Sequence, residues 1–217
     1  MTRKSILSAV ALALAAAPAA RADWPLAVNG QPRAVIVIAD QPTPAADAAA
    51  KELSATLGKM TGAVFTIAAA SAYKPQAGWT AISVGDTPFA AKEGLQGAKL
   101  GMEGVRMVTR PGWVYLLGRD TGQGGAPAQG TFWAVAQFEE DALGCLWLWP
   151  GPTGEVIPRQ PTLTLKDAMD FSYTPPVIHR RIRNNAARIL AEDLKGIGRT
   201  PEDLKAFDDA GRLWFDR

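Results

Sequence analysis

Three acidic side chains in a row, Glu139, Glu140 and Asp141, are the first residues whose chemistry invites a test. Two carboxyl groups facing each other across a glycosidic bond can hydrolyse it, at roughly 5–5.5 Å for retention and 6.5–9.5 Å for inversion. Consecutive helical residues turn by about 100°, so this triplet is poorly placed to flank one sugar. It sits in the last turns of an expected helix, where negative charge opposes the helix dipole, and reads as a solvated acidic face. The chain holds one histidine and one cysteine, His179 and Cys145, too few for a zinc site of that ligand type. A Ser-His-Asp site would have to draw on His179, and no nucleophile motif accompanies it. No metal or cofactor is expected.

Other candidates are contact residues. Arg119 and Asp120 stand at the end of an expected strand and at the mouth of the glycine-rich stretch Gly118 to Gly130, GRDTGQGGAPAQG. No Lys-Ser or Lys-Thr follows, and the glycine spacing does not fit a dinucleotide fingerprint, so the stretch reads as a mobile connection. Trp79 and Trp113 are flanked by turn residues and could stack on sugar rings. Trp133, Trp147 and Trp149 lie in strongly apolar segments and read as packing residues.

The elements that position these groups follow from periodicity. Asn29-Gly30 is a tight-turn pair, and Ala34 to Ala39 is a strand apolar on both faces. Thr43-Pro44 opens a helix that runs to Met60, with a stripe at Ala46, Ala50, Leu53, Leu57 and Met60 and a left-handed cap at Gly62. Short strands are expected at Val64–Ile67 and Ala81–Val84, and irregular structure with one helical turn over Thr87–Leu100. Gly104–Thr109 and Trp113–Gly118 form a hairpin around Arg110-Pro111-Gly112. A second helix covers Thr131 to Leu143, with Thr131 as a possible N-cap, and stops at Gly144. The strand Cys145 to Trp149 then has Cys145, Trp147 and Trp149 on one face and Leu146 and Leu148 on the other. A last strand is expected at Thr162 to Leu165. The whole is an α+β fold, a two-layer sandwich of a mostly antiparallel sheet with two helices on one face, plus a C-terminal helical fragment.

Organisation and charge narrow the partners. Residues 1–22 have a basic start, an apolar run and small residues at Ala20 and Ala22, the pattern of a secretory leader. An exported protein, periplasmic or extracellular, is expected, with no membrane span after the leader is removed. The leader carries Arg3, Lys4 and Arg21 and no acid, so its removal takes the formal charge from +2 to −1. A near-neutral mature chain gives no argument for nucleic acid or an anionic membrane as a partner. Residues 23–165 form the α+β domain and 166–217 a linker with a further segment. That segment carries His179, Arg180, Arg181, Arg183 and Arg188. Its helix start at Thr200-Pro201-Glu202-Asp203 leads into a stripe at Leu204, Phe207, Gly211 and Trp214. The chain is expected to stop inside that helix.

Several of these stretches together resemble the small N-terminal domain that precedes the catalytic barrel in microbial alpha-glucuronidases and beta-hexosaminidases. They are KELSATLGKMTG at Lys51–Gly62, ISVG at Ile82–Gly85, EGVRM at Glu103–Met107, LLGRD at Leu116–Asp120, and GTFWAVAQFEEDALGCLWLWPG at Gly130–Gly151. A Pro-x-x-x-x-Arg element at Pro176–Arg181 comes where the barrel's first strand would begin. The resemblance runs from about Val35 to Arg181. It implies a non-catalytic domain packed against a (β/α) barrel, with carbohydrate met only through that barrel. It also implies that Arg181, or next Arg180, binds sugar hydroxyls, and that this chain ends before the carboxylates of the barrel. Cys145, Trp147 and Trp149 are then the expected docking face. The alternative is a stand-alone carbohydrate-binding or protein-docking module.

Overall fold

The computed structural model describes residues 23–148 and 154–176. The first strand, β1 (Trp24–Val28), turns through Asn29 and Gly30, both at positive φ, into the two-residue β2 (Gln31–Pro32). The Asn-Gly pair supplies the left-handed backbone that a two-residue hairpin turn needs. β3 (Ala34–Ile38) then leads to α1 (Pro44–Thr61), where the Thr43 hydroxyl accepts from the Ala46 N–H and Gly62 closes the helix in the left-handed conformation. Both caps lie where the sequence puts them.

β4 (Ile67–Ala69) starts where the expected strand at Val64–Ile67 was to end, leaving Val64 exposed. β5 (Thr80–Val84) is next, then the short α2 (Pro88–Lys92) capped by Thr87. β6 (Val105–Arg110) and β7 (Trp113–Gly118) are the expected hairpin. α3 (Gly130–Asp141), β8 (Leu146–Trp147), β9 (Glu155–Val156), β10 (Leu163–Leu165) and β11 (Asp170–Tyr173) complete the order.

The fold is α+β. The main sheet has six strands in the order β11-β6-β7-β5-β3-β4. Among the described residues, antiparallel pairings outnumber parallel ones five to three. The parallel ones, β4 with β3, β3 with β5 and β5 with β7, are neighbours and run from the middle of the sheet to its β4 edge. The cause is connectivity: α1 lies between β3 and β4 and returns the chain to the end from which it set out, as a parallel pair requires.

α1 and α3 cover one face of the sheet. Ala34, Ile36, Ile82, Val84, Met107, Val114 and Leu116 point into one core with Leu53, Leu57, Met60, Val135 and Phe138. Residues one position along each strand, Val35, Val37, Ala81, Val108, Tyr115 and Leu117, pack on the other face under Tyr73, Trp79 and α2. This alternation explains why the central strands have no polar face. A three-stranded sheet, β10-β1-β2, closes the helix-side core with Trp24, Leu26, Leu163 and Leu165.

The linker expected from Lys166 begins too early. β11 pairs with β6 as an edge strand of the main sheet, held by an ion pair of 2.5 Å between Arg106 and Asp170. Its sequence, Asp170-Phe171-Ser172-Tyr173, alternates as an edge strand should, and the sheet therefore extends to Tyr173. The expected leader, Trp149, His179, Arg180, Arg181 and the expected C-terminal helical fragment fall outside the described residues.

Candidate functional site at the strand ends

In open sheets with parallel strands, ligands bind outside the carboxyl ends of those strands, near helix N-termini. Here that position is the common edge of β3, β5 and β7, where α1 and α3 begin. An aspartate stands two residues after the end of each strand: Asp40, Asp86 and Asp120. Each accepts a backbone N–H from further along the chain. Asp40 Oδ1 takes Ser71 N–H at 2.9 Å, Asp86 Oδ1 takes Gly97 N–H at 2.6 Å, and Asp120 Oδ1 takes Thr131 N–H at 2.7 Å. The Ser71 backbone N–H, with the side chain of the same residue, holds the Asp40 carboxyl below its ordinary range.

Asp120 is the most heavily used of the three. Its Oδ2 accepts from the Thr131 hydroxyl at 2.9 Å and from the Thr43 hydroxyl, which itself caps α1. One carboxylate thus ties the first turns of both large helices together. The expectation that Thr131 caps α3 is corrected: Thr131 lies inside the first turn, buried, and its N–H is capped by Asp120. Gln129, at the N-cap position, makes no side-chain capping bond.

Arg119 is equally committed. Its Nε–H donates to the Thr121 carbonyl at 2.9 Å and its guanidinium to the Leu100 carbonyl at 3.2 Å. The glycines close what space is left. A Cβ on Gly118 would overlap the Gly130 carbonyl, and one on Gly130 would overlap the Arg119 backbone. At Gly85, φ is +77° and a Cβ would stand 2.8 Å from that of Ala46. At Gly118 and Gly130 strand end therefore packs on helix start backbone to backbone. Among the described residues no group of three or more His, Cys, Asp or Glu could hold a metal ion.

Trp113 is not brought to this edge. It begins β7 at the opposite end and lies half-buried on the sheet face away from α1 and α3. Its ring stacks on Tyr115 at 5.5 Å, tilts against Phe89 at 4.8 Å and meets Tyr73 edge-on at 5.4 Å. Burial in this cluster, with Glu93 adding, pushes the Tyr115 hydroxyl up to about 12. Trp79 lies under the Arg33 guanidinium, 5.8 Å from the ring centre. Both tryptophans that could stack on sugar rings are thus packed against protein. Trp133, expected as a core or interdomain packing residue, is 43% exposed, because Ala134, Val135 and Phe138 take the inward positions of α3.

The acidic triplet divides. Glu139 shares the inward arc with Val135 and is fully buried, contrary to a wholly solvated face, whereas Glu140 and Asp141 are exposed. The Cys145 N–H donates to the Glu139 carbonyl at 2.9 Å. Burial, with the Glu139 and Glu140 carboxyls adding, pushes the Cys145 thiol up to about 11.

Of the expected docking face, Cys145 is fully buried in the helix-side core. Trp147 packs against the same core. β8 pairs with β9 in a separate two-stranded sheet, with Leu146 opposite Val156 and Trp147 opposite Glu155. The alternation is as the sequence predicts, and the Trp147 side faces in. The leucine side faces out: Leu146 is 49% exposed, Leu148 58% and Val156 43%.

Sequence reasoning singles out Asp120 and Arg119 but misses Asp40 and Asp86. The signal is the repeated placement of aspartate two residues past each parallel strand, which a strand-by-strand reading does not compare. No family model matches the chain. No curated protein is significantly similar to it.

Proposed function

We propose that this chain is the non-catalytic N-terminal domain of an exported glycoside hydrolase, supporting and packing against a catalytic barrel. The observation that carries the scaffold role is the closure of the strand ends. Asp120, Asp86, Asp40 and Arg119 each bind the chain's own backbone, and Gly118 packs directly on Gly130 between them. Polar groups used in this way hold a fold in register. The glycosidase context comes from the resemblance of the motifs between Val35 and Arg181. In that reading Arg181, with Arg180 as the alternative, belongs to the substrate site of the barrel, and carbohydrate is the partner of the barrel alone.

A second reading, a carbohydrate-binding module, is favoured only by the exposure of Trp133 on α3. Gln137 and Asp141 follow Trp133 at one and two turns along α3 and bond each other at 2.8 Å, but a single indole is a small stacking surface.

The DNA beyond the codon for Arg217 tests the proposal. A downstream reading frame encoding a (β/α) barrel, in frame or displaced by a frameshift, is the expected result. An unrelated gene would count against it.

A further inference from the structure

The turn that joins β1 to β2 holds a pair whose chemistry the scaffold role does not use. Asn29 precedes Gly30, and a carboxamide followed by a residue without a side chain can be attacked by that residue's backbone nitrogen. Gly30 N bonds to Asn29 Cγ, the Cγ–Nδ2 bond breaks, and Nδ2 leaves as ammonia with the proton that Gly30 N gives up. Water then opens the cyclic imide at one of its carbonyls. The product is an aspartate at this position, or an isoaspartyl link in which the main chain runs through the former side-chain carbonyl and is one carbon longer. Water is the only other reactant.

Asn29 is exposed, so water reaches it. The fold nevertheless holds the pair against the segment that enters β10. The Gly30 N–H donates to the Pro161 carbonyl at 2.8 Å, the Asn29 N–H to the Thr162 hydroxyl oxygen at 2.9 Å, and the Thr162 hydroxyl to Asn29 Oδ1 at 3.2 Å. The first bond occupies the proton that has to leave before Gly30 N can attack. The other two hold Asn29 towards Thr162, and the left-handed backbone, with φ of +51° at Asn29 and +74° at Gly30, fixes the turn that presents them.

We propose that Asn29-Gly30 is a latent deamidation site, held unreactive by Pro161 and Thr162 and released when the turn lifts from them. Modification then records that opening. β1 brings Trp24, Leu26 and Ala27 into the helix-side core and pairs with β2 through Ala27 with Pro32 and Val28 with Gln31. An extra main-chain carbon at position 29 displaces β2 from this register and moves the Gly30 N–H away from the Pro161 carbonyl. A molecule that has opened and reacted in this way cannot close as before, so the β10-β1-β2 sheet carries a one-way timer.

Incubation of the full chain in mildly alkaline buffer, with mass spectrometry of the tryptic peptide that ends at Arg33, tests this. Hydrogen exchange at the Gly30 amide is followed in parallel. The folded chain is expected to deamidate about tenfold or more slowly than a free peptide of residues 24–33, and Thr162→Ala, which removes both of its bonds to Asn29, to speed the reaction about tenfold. Gly30 exchange should rise by the same factor, since both processes need the turn open. Thr164→Ala, in β10 opposite Pro25, should leave the rate unchanged, and separates release of Asn29 from a general loosening of β10. Deamidation of the folded chain as fast as the peptide would overturn the proposal. So would a rate that Thr162→Ala leaves unchanged, or one that Thr164→Ala raises equally. A slower reaction in Thr162→Ala would overturn it too, since the Thr162 hydroxyl would then be polarising the carboxamide for attack.

Discussion

Asp120 Oδ1 accepts the backbone N–H of Thr131 at 2.7 Å, and so gives α3 the cap that its own preceding residue, Gln129, does not provide. The bond crosses the glycine-rich connection and fixes where α3 starts relative to β7. Because Asp120 also receives the Thr43 hydroxyl, the starts of α1 and α3 depend on one carboxylate. Asp120→Ala is expected to destabilise the domain by about 1–3 kcal/mol, the range for leaving buried donors without their acceptor. Thr43→Ala should cost about 1 kcal/mol, as for an ordinary lost cap. Urea midpoints measure both. The double variant should cost less than the two together, since the residues share a bond.

The contact between Gly118 and Gly130 makes a sharper prediction. Gly118→Ala forces a methyl group into the Gly130 carbonyl, with backbone on both sides and no flexible side chain to yield. A loss of about 3 kcal/mol or more is expected, at the upper end for overpacking. Gly124→Ala, in the same loop, meets nothing within 4 Å and costs only the strain of its positive φ of +67°, about 1 kcal/mol. Thermal unfolding of the two variants side by side gives the comparison. Equal, small effects would mean that the strand ends are not closed.

Cys145 links burial to pH. Its thiol is pushed up to about 11 in the folded protein, so the native state holds the proton more tightly than the unfolded chain does. The stabilisation is complete below the ordinary thiol range and is lost as pH rises from about 9 towards 11. Stability measured by urea unfolding should therefore fall over that window, and Cys145→Ala should flatten the fall. At a pH of about 8 the native thiol should resist a disulfide reagent and react at once on unfolding. Rapid modification of the native protein would contradict its burial.

How much of the fold is legible in the sequence depends on which interactions are local. The caps of α1, the Asn29-Gly30 turn and the β6–β7 hairpin depend on neighbours in sequence, and each lies where residue type and spacing put it. The two-sided burial of β3 is legible for the same reason, since Ala34 to Ile38 is apolar on both faces. The cap of α3 is not, because Asp120 stands outside that helix and reaches it through tertiary structure. Nor is the inward side of the β8 hairpin. Alternation divides Leu146 and Leu148 from Cys145 and Trp147, and both sets are apolar, so periodicity alone cannot say which the core receives. β11 is hidden because four exposed residues in a Pro-flanked stretch resemble a linker until β6 supplies the edge they pair with.

The central claim is that this domain supports a fold and has no carbohydrate site of its own. Isothermal titration of residues 23–217 with xylo- and chito-oligosaccharides tests it most directly. The account predicts no saturable heat at any sugar. Saturable binding in the millimolar range or tighter, abolished by Trp113→Ala or Trp133→Ala, would contradict it.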